Sequence, residues 1–314
     1  MKKKSLLALL MSAVMCFTLC GCDTIDRIFG NDRYDDYYDD GYYDNGYYDG
    51  DYRDSERVSN LISHYINVGQ GDCEFIEFPD GETMLIDAGP SDSGSKIVRY
   101  IRNLGYDRID YVVATHPHAD HIGGMKKVIE AFDIGAVYMP KAETNTSTYE
   151  NLLEAIQNKG KKIKTAKAGT RIFDTGDNSL KIETLAPNSS SYEELNDYSV
   201  VLKITYGKVR LLYMGDAETT SEREILKKNY DVSADVVKVG HHGSSSSSGQ
   251  NFVNEVDAQY AIFSLGADND YGHPHKQVVD RWTKSGAQVL RTDEYGTIVL
   301  TTDGSKFDID TEKG

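Results

Sequence analysis

Residues 115–124 read Thr-His-Pro-His-Ala-Asp-His-Ile-Gly-Gly and follow directly on the apolar run Tyr111 to Ala114. That run has the length and residue types of a buried strand. Three imidazoles and a carboxylate then fall between His116 and His121. They converge on a cation only if the backbone loops tightly, and Pro117, Gly123 and Gly124 supply the turn chemistry. As alternate residues, His116 and His118 point one way, while Asp120 and His121 address a neighbouring position. One loop at a strand end thus starts two metal sites.

The other histidines follow the same pattern. Of eight in the chain, only His64 lies outside three clusters, the second being His241 with His242 and the third His273 with His275. A solitary histidine is usually structural or exposed, whereas clusters placed after strand ends read as ligands or proton carriers. Two metal sites also need a carboxylate that bridges them. Tyr213, Met214, Gly215 and Asp216 offer one at the end of an apolar strand, where Gly215 lets the backbone come close. The segment VVKVGHHGS, Val236 to Ser244, places His241 beyond another buried strand. All these strand ends are expected to share one rim. The run Ser244 to Ser248 reads as a flexible linker.

Working outward, short β-rich runs alternate with amphipathic stretches, the pattern of a layered α/β domain. A first set of strands is expected at Ile62 to Val68, Cys73 to Phe78, Thr83 to Asp87, Tyr111 to Ala114 and Val137 to Met139. A second set is expected at Leu180 to Leu185, Ser199 to Tyr206, Val209 to Met214, Val236 to Val239, Tyr260 to Ser264, Val289 to Arg291 and Gly296 to Thr301. Helices fit Lys96 to Leu104, Met125 to Ala131, Tyr149 to Asn158, Thr220 to Lys228, Phe252 to Val256 and Lys276 to Ser285. Tyr206 to Lys208 and Asp303 with Gly304 look like hairpin turns. The expectation is two sheets face to face, one per set, with helices outside.

The first 57 residues have a different character. Residues 1–21 carry three lysines, an apolar run and small residues, the order of an export signal, and Leu19 to Cys22 resemble a lipobox in which Cys22 is lipidated. Residues 22–57 include an Asp/Tyr/Gly run that buries too little apolar surface to fold and is expected to act as a disordered spacer spanning roughly 30 Å. Residues 58–314 then form the domain, anchored outside the cell membrane by lipid alone. Of four cysteines only Cys73 remains free in such a mature chain, which excludes a disulfide framework. A formal net charge of −16 argues against a broad nucleic-acid footprint. The one basic concentration, Lys159 to Arg171, reads as a solvated helix end and loop.

His116, His118, Asp120 and His121 match the HxHxDH signature of the metallo-β-lactamase fold family. With VGQGD at 68–72, LIDAG at 85–89, THPHADHIGG at 115–124, GD at 215–216, KVGHHGS at 238–244 and YGHPH at 271–275, the chain resembles the soluble hydrolase domain of the competence protein ComEC. The resemblance covers nearly all of residues 60–302. It implies a four-layer αββα sandwich with two divalent ions, zinc or manganese, at one edge. It further implies a first metal on His116 and His118, a second on Asp120, His121 and His241, and Asp216 bridging. Many members have a third histidine for the first metal where this chain has Asn196 and Asp197, which implies a weaker first site.

A water shared by such a pair of ions loses its proton near neutral pH and attacks the substrate. Asp120 is expected to orient it, and His242, His273 or His275 to protonate the leaving oxygen. Lys238, Gly243, Ser244 and Asn196 are the expected substrate contacts, Lys238 and the backbone amides around Gly243 holding a phosphate oxygen. The resemblance implies an extracytoplasmic phosphodiesterase or nuclease acting on DNA or small nucleotides. Two other readings stay open: lactone or β-lactam hydrolysis by the same chemistry, and a non-catalytic surface module that binds DNA or a wall component.

Overall fold

Apolar residues alternate between two faces along most strands of this domain, and that alternation dictates its layers. In β10 (Val209–Tyr213), Leu211 and Tyr213 enter one core, while Leu212 and Met214 after it enter another. In β3 (Thr83–Ile86), Met84 and Ile86 join Leu211 and Tyr213 in the shared core, while Leu85 faces a third. Strands buried on both faces must be covered on both faces. The computed structural model describes residues 60–174 and 179–313. The export signal at 1–21, Cys22, the spacer at 22–57 and the domain start at Val58 lie outside them.

Among the described residues, the first sheet has eight strands in the order β15-β14-β1-β2-β3-β4-β5-β6. Besides β3 these are β1 (Leu61–Tyr65), β2 (Glu74–Glu77), β4 (Arg108–Val113), β5 (Asp133–Met139), β6 (Ile163–Thr165), β14 (Ile298–Thr302) and β15 (Phe307–Thr311). The second has seven in the order β13-β12-β11-β10-β9-β8-β7. Its other members are β7 (Arg171–Asp174), β8 (Leu180–Ala186), β9 (Val201–Tyr206), β11 (Val236–Lys238), β12 (Tyr260–Phe263) and β13 (Gln288–Arg291). Helices α1 (Gly94–Asn103), α2 (Ala119–Ile122), α3 (Met125–Ala131) and α4 (Ser147–Asn158) cover the first sheet through Ile97, Ile122, Met125 and Leu152. Helices α5 (Thr219–Lys227), α6 (Gln250–Val256) and α7 (Lys276–Ser285) cover the second through Ile225, Phe252, Val278 and Trp282. A short α8 (Thr292–Tyr295) follows β13. This is the four-layer αββα sandwich expected from the sequence.

The grouping of strands needs one correction. The segment Gly296 to Thr301 was expected in the second sheet, yet β14 pairs antiparallel with β1, Leu300 opposite Ser63. Hydrophobic alternation fixes which face of a strand is buried but not its neighbour, so a pairing across more than 200 positions leaves no local signature. Strands β6, β7 and β15 were not expected either. Every residue of β6 is exposed at the sheet edge, and Lys162 and Lys164 lie in and beside it, a composition that discourages edge-to-edge pairing. Cys73 is free and buried, packed with Phe75 and Ile66.

Strand direction positions the site. β3, β4, β5 and β6 run parallel, as do β10, β11, β12 and β13, so the loops after Ile86, Val113, Tyr213, Lys238 and Phe263 leave the carboxyl ends of their strands. In parallel sheets such ends form the ligand-binding crevice. β2 and β9 run antiparallel to β3 and β10, which brings the residues just before them, Asp72 and Asn196 to Ser199, to the same edge.

Candidate metal centre

Asp216 sits at the centre of that edge, 1% exposed, on a turn made possible by the left-handed φ of +52° at Gly215. Its amide donates to Ser199 Oγ at 3.0 Å, which fixes the carboxylate's direction. Oδ1 lies 3.2 Å from His121 Nε2 and 3.5 Å from His242 Nε2, and Asp120 Oδ2 lies 3.3 Å from that same His242 nitrogen. Oδ2 faces the other way, 3.8 Å from His116 Nε2 and 3.7 Å from His241 Nε2. Ligand atoms of Asp120, His121, Asp216 and His242 lie within 4.8 Å of one another, and those of His116, His118 and Asp216 form a second such group. Both groups share Asp216.

The donor set fits a divalent cation on its own chemistry. His121 Nε2, His242 Nε2 and Asp216 Oδ1 are buried, mutually close and without any hydrogen-bond partner, an arrangement that costs free energy unless something positive lies among them. His121 Nδ1 meets Asp87 Oδ2 at 2.7 Å, and His242 Nδ1 meets the Ser264 carbonyl at 2.8 Å. With their Nδ1–H groups so engaged, both rings turn Nε2 toward Asp216 Oδ1, where that nitrogen carries either a proton or a metal ion. Burial opposes charging His242, but Asp216 and Asp72 override it and raise its pKa to about 10. The cluster draws in positive charge, and a metal ion would replace the proton.

A second layer holds these ligands. Asp87 accepts hydrogen bonds from the Thr115 amide at 2.8 Å and hydroxyl at 2.5 Å as well as meeting His121, so the loop after β4 is tied to the end of β3. Asp72 Oδ1 lies 3.1 Å from His242 Nδ1, and Asp72 Oδ2 forms a close ion pair with Lys238 Nζ. Burial opposes charge on Asp72, yet Lys238, His242 and His121 outweigh it and hold its pKa below the usual carboxylate range. The neighbouring Glu74 goes the other way: burial and then the charge of Asp72 raise its pKa well above normal. Such outer partners fix the tautomer and orientation of a metal-binding imidazole. The Asp72 loop is itself clamped, because its amide donates to the Asp120 carbonyl at 3.2 Å and a Cβ on Gly71 would lie 2.3 Å from that oxygen.

The structure brings His116, His118, Asp120, His121 and Asp216 to one place, while it sets His241 and His242 in other positions than the sequence suggests. His242 joins Asp120 and His121, the position expected for His241. His241 instead stands at the Oδ2 side of Asp216, its Nδ1 3.0 Å from Glu218 Oε1. Both residues have left-handed backbone, φ +49° and +51°, so their side chains do not alternate as in a strand. Asn196 Nδ2 donates to Glu218 Oε1 at 3.0 Å and lies 3.5 Å from His241 Nε2, while its buried Oδ1 has no partner.

The expected phosphate contacts are corrected more strongly. Lys238 is fully buried in β11, donates to the Val239 carbonyl at 2.8 Å and pairs with Asp72, so it cannot reach a substrate. Gly243 is buried, and a Cβ there would meet the Phe263 ring at 2.6 Å. The Ser244 amide is spent on the His241 carbonyl at 2.7 Å, and its hydroxyl accepts from Ser246 at 3.0 Å. Nor is the serine run a linker. Ser247 Oγ donates to Gly240 O at 2.7 Å, Glu222 accepts the amides of Ser248 and Gly249, and Trp282 Nε1 donates to Ser248 Oγ at 3.1 Å. His275 accepts the Ser245 amide on Nδ1 at 2.8 Å, outside the cleft.

The cleft over the site has a volume of about 350 Å³, within the usual ~300–1,000 Å³ of small-ligand sites. His118, Asp120, Asp216, His241, His242 and His273 line it, together with Ala119, Gln70 and Tyr271. Burial, then the neighbouring imidazoles, lower the pKa of His273 to about 4, so it is neutral at pH 7. Asp72, Asp87, Gln70 and Tyr271 are not among the residues expected at the site from sequence alone. Each nevertheless stands in a motif already quoted, Gln70 and Asp72 in VGQGD, Asp87 in LIDAG and Tyr271 in YGHPH.

Fold and ligand set together define a metal-binding hydrolase scaffold, and the chain belongs to the metallo-beta-lactamase superfamily, whose profile matches residues 66–266. Within it the chain is 30% identical over 250 residues to ComE operon protein 3 of Bacillus subtilis, covering 74% of this chain and 32% of that protein. It is also 30% identical over 217 residues to competence protein ComA of Neisseria gonorrhoeae, covering 68% of this chain and 28% of that one. The chain thus spans about a third or less of these relatives. Among solved structures, the metallo-beta-lactamase fold protein YhfI from Bacillus subtilis superposes with a TM-score of 0.51 at 14% identity, covering 77% of this chain and 100% of that one. That likeness concerns the fold alone.

Proposed function

We propose that this domain is a metal-dependent phosphodiesterase whose substrates are nucleic acid or nucleotides. The observation that carries the reading is the double-faced Asp216, with one ligand group at each carboxylate oxygen. A pair of divalent cations, zinc or manganese, would be held by His116, His118 and Asp216 on one side and by Asp120, His121, His242 and Asp216 on the other. Bound there, it would supply Lewis acidity and an activated water. His241 stands ready at the first of these groups, beside the stretch where many members of the family have a third histidine and this chain has Asn196 and Asp197.

The chain's own residues divide the remaining work. Burial opposes charge on Asp120, but His121 and His242 keep it ionised, and its partly exposed carboxylate accepts a hydrogen bond from the attacking water and orients it. His273 stays neutral and its ring N–H would donate a hydrogen bond to the leaving oxygen, which departs as an alcohol after taking up the proton released by the attacking water. The described cleft lining holds no lysine or arginine, so the charge of a phosphate has to be met by the cations. Similarity to a competence protein and the motifs shared with ComEC support a nucleic-acid phosphodiester over a lactam or lactone.

The test is turnover of bis(p-nitrophenyl) phosphate and single-stranded DNA by chelated protein given manganese, zinc or cobalt in turn. Cleavage that appears with metal and vanishes with chelator is expected. Binding of DNA without cleavage, or opening of a lactam with diesters untouched, would overturn the reading.

We further propose that the domain works outside the cytoplasm on a lipid carried by Cys22. Cys22→Ala is expected to move the protein from the membrane fraction to the soluble extracytoplasmic fraction. A variant that stays with the membrane, or a parent found in the cytoplasm, refutes the anchor.

A further inference from the structure

Among the described residues, two large hydrophobic side chains are exposed: Ile163, 40%, on the edge strand β6, and Tyr271, 66%, on the rim of the cleft. Tyr271 does not belong to a loose loop. Asn269 crosslinks the segment, its Nδ2 donating to the carbonyls of Gly266 at 2.9 Å and His273 at 2.7 Å while its Oδ1 accepts the His273 amide at 3.0 Å. The Gly266 amide donates in turn to Gln70 Oε1 at 3.3 Å, which ties the loop to the opposite wall. The Tyr271 ring lies nearly parallel to that of His273, with centroids 5.6 Å apart and planes 21° apart. His273 continues inward, 6.1 Å from the His242 ring and 5.5 Å from that of His241. A line of rings therefore runs from the ligands of the proposed metal centre to a mostly open aromatic surface.

An aromatic ring held in water by a braced loop, two ring steps from the reacting centre, suits a planar ligand group. The neighbouring residues supply no competing explanation, since the described cleft lining offers a diester no lysine or arginine. Affinity for anything beyond the phosphate itself has to come from uncharged contacts, and base stacking is the one that tolerates any sequence.

We propose that Tyr271, backed by His273, is a stacking platform for the nucleobase adjoining the scissile phosphate. The proposal rests on the phosphodiester reading and deepens it. It makes the substrate a nucleotide or an unpaired strand, because a base stacked on Tyr271 is not stacked in a duplex. It also predicts a weak salt dependence of binding, since few lysines or arginines displace counterions.

Two measurements on the metal-loaded protein test the platform. In the first, parent, Tyr271→Ala and Tyr271→Trp cleave two single-stranded oligonucleotides of equal length, one carrying thymine and the other abasic tetrahydrofuran residues. The parent is expected to favour the thymine strand through KM, by about 5- to 100-fold. Tyr271→Ala should bring that ratio close to one, and Tyr271→Trp should restore it. In the second, the fluorescence of Tyr271→Trp is titrated with thymidine 5′-monophosphate and with deoxyribose 5-phosphate, and only the former should quench it. This readout needs no turnover. Cleavage of both strands with a ratio that Tyr271→Ala leaves unchanged overturns the platform and leaves the phosphodiesterase reading intact. Base-selective quenching with neither strand cleaved overturns the phosphodiesterase reading and upholds the platform. Absence of both signals overturns both.

Discussion

Asp216→Ala is expected to lower diester turnover by about 10³-fold or more and to reduce bound divalent metal to at most one equivalent. No other carboxylate in the described site addresses both ligand groups. Oδ1 faces His121 and His242, and Oδ2 faces His116 and His241, all between 3.2 and 3.8 Å. Removing it takes from both positions the charge they share and leaves imidazoles facing one another, as His116 and His121 already do at a centroid separation of 4.2 Å. Folding should register the same loss. Metal that binds only the native state at ~1,000 times its Kd stabilises that state by about 4 kcal/mol. The rise in melting temperature that manganese or zinc gives the parent should therefore shrink or vanish in the variant. Elemental analysis paired with melts, with and without metal, decides the matter. A variant that keeps two equivalents of metal and most of its turnover removes Asp216 from the bridging position.

Asp216 also shows how far a sequence carries a reader toward such a site. It was legible as a candidate bridging group because a glycine and an acid follow an apolar strand, and because the histidine clusters likewise follow apolar strands. Strand ends in parallel sheets gather at one edge, so residues distant in sequence could be assigned to a common rim without coordinates. Legibility failed where the deciding fact was a backbone angle or a distant neighbour. The exchange of His241 and His242 turns on left-handed backbone at two consecutive non-glycine residues, which residue type does not announce. The placement of β14 beside β1 is a contact across the length of the chain. The serine run has the composition of a linker, yet Glu222 and Trp282, on helices α5 and α7, pin it in place. Lys238 was misread for a different reason. It lies in the run Val236 to Val239, buried on both faces, where a lysine has to find an anion, and Asp72 of VGQGD was that anion all along.

The pairing of Lys238 with Asp72 leads to the second large effect. Lys238→Met is expected to destabilise the domain by about 3–5 kcal/mol, because it leaves Asp72 charged and buried with its strongest counterion gone. Burial and the charge of Asp72 push the Glu74 pKa well above the usual carboxylate range, and it is Asp72 that forms the direct ion pair with Lys238. Removing both charges together should behave differently. In Asp72→Asn with Lys238→Met no isolated ion remains, and most of the lost stability should return, giving a coupling well above the few tenths of a kcal/mol typical of independent sites. Activity should not return with it. His242 Nδ1 lies between the Ser264 carbonyl and Asp72 Oδ1, and the double variant deprives it of the anionic partner, which for a metal-binding histidine costs about 10- to 100-fold in metal affinity or rate. Urea midpoints separate the first effect from the second, and metal affinity by calorimetry shows whether His242 is the ligand affected. If the single variant unfolds within about 1 kcal/mol of the parent, the pair carries no buried charge that matters. If the double variant recovers full metal affinity, Asp72 does not orient His242.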